Sequence, residues 1–373
     1  MRVLHVAQTA KGGVGSYLDE VVPLQARRYG PDSVHLVLPQ EDAALFPGLQ
    51  AATVHGFPRG SLGRAGSTAR AALCAARESR AWAPDVIHLH STFAGLARPL
   101  LRAACGAAKV VYCAHGWAFD REGSAHARAM AAAAEWALSP FCHAIVSISQ
   151  HDHRRALDIG IASPRCRLVR NGIADLPEDP PLAGHDLWPA GRLRVLFVGR
   201  LDRQKGIDVL YRAMAELGGA AFAVIVGQSV VDEGPGAVQP PNVHVTGWLP
   251  RARINALYRS ADVFVAPSRW EGFSLVTLEA MRASLPVVAS RVGGLQELVA
   301  DGWSGRLVRP GDAGELAEAL RALGSEELSR MGARGRERFL QRYDVQRVVQ
   351  ELDGVYRQVL DGGRAMRPMA RGS

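Results

Sequence analysis

The sequence predicts an α/β protein made of two doubly wound, parallel-sheet domains that face each other across a cleft. Short, continuously apolar strands alternate with helical stretches, the pattern of a parallel sheet covered on both faces. That alternation stops once, at a proline-rich segment, and then starts again. The length of 373 residues suits two domains at roughly 100–200 residues each.

The first alternation opens with apolar Val3–Ala7, a glycine loop and a helix from Val14 to about Arg28. Further strands fall at Ser33–Leu38, Ala52–Val54, Asp85–Leu89, Lys109–Ala114, His143–Ile148 and Leu168–Val169, and the Asn171-Gly172 turn follows. Residues 1–173 are thus an N-terminal domain, and 174–191, rich in proline and acids, a linker. The second alternation, 192–342, places strands at Arg194–Val198, Phe222–Val226, His244–Thr246, Val263–Ala266 and Val287–Ala289. Its helices begin near Ile207, Arg251, Ser274, Leu295 and Asp312, and an amphipathic stretch runs over Glu326–Arg342. Residues 343–361 form a last amphipathic helix able to return to the N-terminal domain, and 362–373 a flexible tail.

With 48% apolar, 21% charged and 6% aromatic residues the composition is that of a globular enzyme and excludes a disordered or fibrous chain. No apolar run reaches the ~18–20 residues that span a bilayer, and MRVLHVAQ lacks the apolar core of a secretory signal, so a cytoplasmic location is expected. Five cysteines without a C-x-x-C pair read as reduced thiols. Residues 1–173 hold 19 basic and 12 acidic side chains, against 25 and 24 in residues 174–373, so the excess positive charge sits on the N-terminal half. Only three of the basic residues are lysines, and no nucleic-acid partner is inferred.

Loops at the carboxyl ends of parallel strands, together with helix N-termini, offer unsatisfied N–H donors to a ligand in the cleft. The first such loop, Lys11-Gly12-Gly13-Val14-Gly15-Ser16, is neither G-x-G-x-x-G nor a P-loop, and reads either as a structural turn or as a ligand loop. In the second domain Val198-Gly199-Arg200 ends a strand and Lys205-Gly206 precedes a helix; the Arg fork and Lys point charge suit a diphosphate. Ser274 is a candidate N-cap, which leaves the amides of Leu275 and Val276 free to support phosphate. Glu279, more than a turn further on, would meet a hydroxyl-rich group such as ribose, and Glu271 another part of the ligand.

Glu271 and Glu279 form an E-x7-E pattern. With Val198-Gly199-Arg200, Lys205-Gly206, the Gly12-Gly13 loop and Ala114-His115-Gly116, the chain resembles the retaining glycosyltransferases of family 4, of the bacterial capsule, exopolysaccharide and O-antigen type, over nearly its whole length. The resemblance implies the GT-B fold, two Rossmann-like domains across a cleft. It implies an acceptor on the N-terminal domain, a nucleoside-diphosphate sugar on the C-terminal one, and transfer with retained anomeric configuration. By motif position, His115 lies against the donor sugar and Gly13 close to sugar and phosphate, Arg200 and Lys205 hold the diphosphate, Glu279 takes the ribose hydroxyls, and Glu271 holds or polarises the sugar. His115, Glu271, Arg200 and Lys205 are then the catalytic set; Gly12, Gly13, Gly199, Ser274, Leu275, Val276 and Glu279 bind the donor. No metal and no cofactor is expected, and the chain contains no D-x-D pair.

Retention arises by double displacement or by a front-face reaction; no second carboxylate is identifiable beside Glu271, which favours the front-face route. The expected acceptor is a glycan or a polyprenyl-diphosphate-linked glycan. The stretch Arg59–Arg80, with Arg64, Arg70 and Arg77 among Leu62, Ala69, Leu73 and Ala76, reads as a basic helix on an anionic membrane at the inner face of the cytoplasmic membrane, or as a solvated helix. His88-x-His90 and His151-Asp-His153 lack companion ligands in the sequence and read as structural, and Trp117, Phe119 and Trp136 as packing. A nucleotide-sugar epimerase and a non-catalytic nucleotide-sugar-binding protein remain the rival functions; Gly227–Gln239 is a variable loop that leaves base and sugar open.

Overall fold

The computed structural model describes residues 1–58, 63–176, 187–229 and 238–362. Most of the expected linker, the centre of the 227–239 loop, Arg59 and Leu62, and the tail from residue 363 lie outside the described residues.

The first sheet contains β1 (Val3–Ala7), β2 (Val34–Pro39), β3 (Thr53–Phe57), β4 (Val86–His90), β5 (Lys109–Cys113), β6 (Ala144–Ser147) and β7 (Cys166–Leu168). Its order is β3-β2-β1-β4-β5-β6-β7, and every pair is parallel. The second contains β8 (Leu193–Val198), β9 (Ala221–Val226), β10 (Val243–Gly247), β11 (Val263–Ala266), β12 (Val287–Ser290) and β13 (Gly305–Val308), in the order β10-β9-β8-β11-β12-β13, again parallel.

The apolar runs are continuous because both faces of each sheet are covered. In β1, Val3 and Ala7 enter one core cluster while Leu4 and Val6 enter the other on the opposite face. β13 is the strand that the sequence reading passes over: it is four residues long, lies at the sheet edge and carries the charged Arg306.

The strand order reverses between β1 and β4, and again between β8 and β11, so a crevice opens beside the carboxyl ends of these strands in each sheet. The loops after β1 and β4 border the first crevice, with the loop after β5 joined to it where His115 meets His90 at 2.9 Å, and those after β8 and β11 border the second.

The last helix, Val345–Leu360, buries Val345, Val348, Val349, Leu352, Val355, Tyr356 and Val359 at helical spacing. It packs against the first domain: Asp353 takes Arg28 at 2.7 Å and the Tyr29 hydroxyl at 3.0 Å, and Tyr356 meets His88 at 2.7 Å. The helix Gly63–Trp82 buries Ala71, Ala72, Ala75 and Ala76 while Leu73, Arg77 and Arg80 stay exposed, so Ala76 belongs to the core and not to a surface face. Among the described residues no helix is long and apolar enough to cross a membrane.

Candidate active site

β8 hands the chain to Gly199, whose amide donates to the Val226 carbonyl at 2.9 Å, so Arg200 leaves at the carboxyl edge of the sheet. Asp202 Oδ2 at 2.9 Å and Gln204 Oε1 at 2.8 Å hold the Arg200 guanidinium. Lys205 forms an ion pair with Glu271, and the Ser268 hydroxyl donates to the same carboxylate at 3.4 Å. The loop after β8 is tied to the loop after β11 by the Arg269 amide donating to the Gln204 carbonyl at 2.8 Å, and by Arg269 gripping Asp208 at 2.6 and 2.7 Å. Two loops distant in sequence therefore place a lysine and a glutamate on each other.

Ser274 occupies the N-cap position of the helix Leu275–Arg282, but its hydroxyl accepts from the Thr277 hydroxyl at 2.9 Å and caps no amide. The Leu275 and Val276 amides stand at the positive end of that helix without a capping side chain. One turn on, Glu279 is 4% exposed; Arg251 reaches its Oε1 at 2.7 Å, while Oε2 has no hydrogen-bond partner among the described residues. A buried carboxylate oxygen left open is costly and suits a hydroxyl-bearing ligand.

On the facing side, Gly12 turns the chain at φ +81° into the helix Gly13–Tyr29. A Cβ built at Gly12 or Gly13 meets nothing within 4 Å, whereas one at Gly15 falls 1.9 Å from the Ala10 carbonyl oxygen. Packing therefore explains Gly15, and Gly12 and Gly13 border open space.

His115 follows β5 at φ +54°, a left-handed backbone that a side chain rarely adopts. Its Nε2 lies 2.9 Å from His90 Nδ1, and burial pulls its pKa down to about 3. Beside it, Gly116 meets Gly272 of the other domain so closely that a Cβ on Gly272 would sit 2.7 Å from the Gly116 Cα. That backbone contact sets their neighbours, His115 and Glu271, on opposite walls of one cleft. Arg203 and Glu122 pair across the same cleft at 2.8 Å.

The profile of the family described as Glycosyltransferase Family 4 matches residues 11–175, and that of Glycosyl transferases group 1 matches residues 192–326. An alpha-maltose-1-phosphate synthase of Mycolicibacterium smegmatis is 30% identical over 319 residues, covering 75% of this chain and 81% of that one. The chain belongs to glycosyltransferase family 4. An uncharacterised 41.2 kDa protein in the cps region of Klebsiella pneumoniae is 28% identical over 337 residues, 86% of this chain and 89% of that one. Among solved structures, Anabaena HepE in complex with UDP-glucose superposes with a TM-score of 0.78 at 22% identity, over 96% of this chain and all of that one. The fold of this family-4 glycosyltransferase is accordingly GT-B.

Within the glycosyltransferase, Asp202, Gln204 and Arg251 escape sequence reading. Each sits beside a motif residue and acts by holding it; Arg251 opens the helix that leads into β11 and Glu279 lies on the helix that leaves it, so they meet only in the fold. Three cations of the second domain are each balanced by a carboxylate: Arg200 by Asp202, Lys205 by Glu271 and Arg251 by Glu279.

The two histidine motifs do have companions, contrary to the sequence reading. His88 and His90 share a face with His5 of the neighbouring strand, and His151 lies with Asp120 and Asp152. Both groups are tied by internal hydrogen bonds, His5 Nδ1 to His90 Nε2 at 2.9 Å and His151 to Asp120 at 2.9 Å. Trp117 and Phe119 stack in the core at 5.3 Å between centroids. Trp136 differs: it is 55% exposed on the helix Ala125–Leu138.

Proposed function

We propose that this glycosyltransferase moves a hexose-type sugar from a nucleoside diphosphate to a glycan or polyprenyl-diphosphate-linked glycan during synthesis of a bacterial surface polysaccharide. The relative in a cps region supports the polysaccharide assignment. The observation that carries the donor assignment is the alignment, on one loop edge, of Arg200, the Lys205–Glu271 pair, the uncapped start of helix Leu275–Arg282 and the unpaired Glu279 Oε2.

In this reading residues 192–342 bind the donor, with ribose hydroxyls donating to Glu279 Oε2, the diphosphate on Arg200, Lys205 and the Leu275 and Val276 amides, and the sugar between Glu271 and His115. Gly12, Gly13 and Gly199 let backbone approach the donor. Residues 1–173 present the acceptor. The C–O bond from the anomeric carbon to the β-phosphate breaks while the acceptor oxygen bonds to the same face, and the acceptor's proton passes to the departing phosphate oxygen. Among the described residues the polar partners of Glu271 are Lys205 and Ser268, not a second carboxylate, which favours this front-face route over a covalent glycosyl-enzyme. Arg200, Lys205 and the helix start neutralise the growing phosphate charge, the part a divalent ion plays in metal-dependent transferases.

Thermal shift with UDP-, GDP-, dTDP- and ADP-sugars tests the donor, because a ligand that binds only the native state raises Tm. Product NMR reporting an α-linkage from an α-donor, with turnover unchanged by EDTA, is the expected outcome. Inversion, or loss of turnover in EDTA, contradicts the mechanism. Release of a rearranged sugar without acceptor favours an epimerase, and donor binding with no turnover favours a binding protein. Liposome flotation, with and without charge reversal at Arg77 and Arg80, tests membrane contact by the helix Gly63–Trp82.

A further inference from the structure

Three histidine rings run in line from the cleft into the core of the first domain. His115 Nε2 is 2.9 Å from His90 Nδ1, His90 Nε2 is 2.9 Å from His5 Nδ1, and His5 Nε2 is 2.7 Å from Gln25 Oε1. His5, His90 and Gln25 are buried, His115 partly so at the cleft end. The two residues that bring the first rings together are held in left-handed backbone, His115 at φ +54° and Ser91, directly after His90, at φ +81°. Such conformations persist only where the surroundings impose them. Tyr17 closes edge-on over His115 at 4.8 Å between centroids.

A metal ion does not account for this spacing. Around tetrahedral zinc the ligand nitrogens stand roughly 3.3 Å apart, given Zn–N bonds of about 2.0–2.1 Å. The 2.9 Å contacts are those of shared protons.

Each contact needs one donor, and a neutral imidazole supplies one donor and one acceptor. An amide oxygen only accepts, so Gln25 Oε1 requires the proton on His5 Nε2. His5 Nδ1 is then bare and requires a proton on His90 Nε2; His90 Nδ1 is bare and requires one on His115 Nε2. We propose that His5 and His90, anchored by Gln25, are positioning residues that lock His115 into the Nε2-protonated tautomer, so that Nδ1 is its acceptor for a hydroxyl of the donor sugar. Nδ1 has no hydrogen-bond partner among the described residues. The contact with the sugar rests on the function proposed above; the tautomer does not.

The test is long-range proton–nitrogen NMR of the full chain labelled with ¹⁵N-histidine at pH 7.5, with rings assigned by single His→Gln variants. The expected spectrum shows His5, His90 and His115 all protonated at Nε2, and in Gln25→Met the His115 signals move toward a mixture of both tautomers. In the same variant donor hydrolysis, measured with the sugar nucleotide most active among UDP-glucose, GDP-mannose, dTDP-glucose and ADP-glucose, falls roughly two- to tenfold in kcat with KM nearly unchanged, in proportion to the share of His115 that has lost the Nε2 proton. A wild-type His115 protonated at Nδ1, or a His115 tautomer indifferent to Gln25→Met, overturns the proposal. If Gln25→Met does not fold, the wild-type spectrum decides alone. If His115→Ala leaves hydrolysis intact while the tautomer is as expected, the sugar contact fails and the locked ring stands.

Discussion

Lys205 and Glu271 form an ion pair between two loops distant in sequence, although one is proposed for the diphosphate and the other for the sugar. Both are largely buried, with side-chain exposures of 17% and 9%. Under the proposed function a donor enters by replacing this pairing: phosphate oxygens take over the lysine, and the carboxylate turns to sugar hydroxyls. The pair keeps the two groups placed before the donor arrives, which lowers the ordering cost of binding.

This exchange gives variants of opposite sign. Glu271→Gln frees Lys205, so isothermal titration is expected to show nucleoside diphosphate binding unchanged or up to roughly tenfold tighter, about 1.4 kcal/mol, because binding no longer has to break a largely desolvated pair whose net worth is small. Turnover of the intact nucleotide sugar falls by about two orders of magnitude or more. Lys205→Ala loses both binding and turnover. Parallel weakening of diphosphate binding in both variants would mean that the pair is purely structural.

Glu279 supplies a second check because its two oxygens have different fates, one on Arg251 at 2.7 Å and one open. Glu279→Gln is expected to weaken nucleoside diphosphate binding by roughly 10–100-fold, the worth of a hydrogen bond to a charged group. Wild type should discriminate a ribonucleotide from its deoxyribose counterparts, and Glu279→Gln should lose that discrimination. Equal discrimination in both proteins places the ribose elsewhere.

Much of the fold is legible in the sequence because parallel strands buried on both faces print as unbroken apolar runs, as in Val3–Ala7 and Val263–Ala266. The edge strand Gly305–Val308, no shorter than Val263–Ala266, has a glycine and Arg306 in its first two places and so does not print that way. The site divides on the same principle. Glu271, Lys205 and His115 belong to local patterns beside strand ends, and local spacing reveals them. Arg251 on Glu279 depends on how the helices before and after β11 pack, and His5 on His90 on which strands are neighbours and in what register; His5 lies opposite His88 in the β1–β4 ladder, a fact no linear spacing contains. The buried state of Asp152 is hidden likewise, since His151-Asp-His153 reads as a polar helix start.

Asp152 carries a pH-dependent stability. Burial raises its pKa to about 7, against the favourable pull of His151, the Ser149 hydroxyl and the Gly116 amide. A carboxyl with a raised folded-state pKa contributes stability that is fully present below its unfolded value near 4 and lost as pH rises toward 7. Chemical unfolding at pH 5, 6, 7 and 8 should therefore show wild type losing stability relative to Asp152→Asn up to about pH 7 and levelling above it, with a ceiling of about 4 kcal/mol over the whole window. A difference independent of pH means that Asp152 is ionised at no cost, and the loop carrying His115 is then held without a buried proton.

The histidine line has the opposite sign. Burial lowers His5 to about 4 and His115 to about 3, and burial reinforced by the neighbouring rings lowers His88 and His90 well below the ordinary value of 6.5. A base with a depressed folded-state pKa contributes stability that is present above its unfolded value and lost as pH falls toward the folded one, because the unfolded chain takes up protons that the core refuses. Each ring adds a slope of at most about 1.4 kcal/mol per pH unit below pH 6.5, and four such rings outweigh Asp152. Unfolding free energies at pH 7.5 and pH 5 should show the native state markedly weaker in acid, and His88→Gln, which removes one titrating ring while leaving the His5–His90–His115 line in place, should show a smaller loss. An equal acid loss in wild type and His88→Gln would mean that this ring is protonated in the folded core, contrary to a neutral cluster.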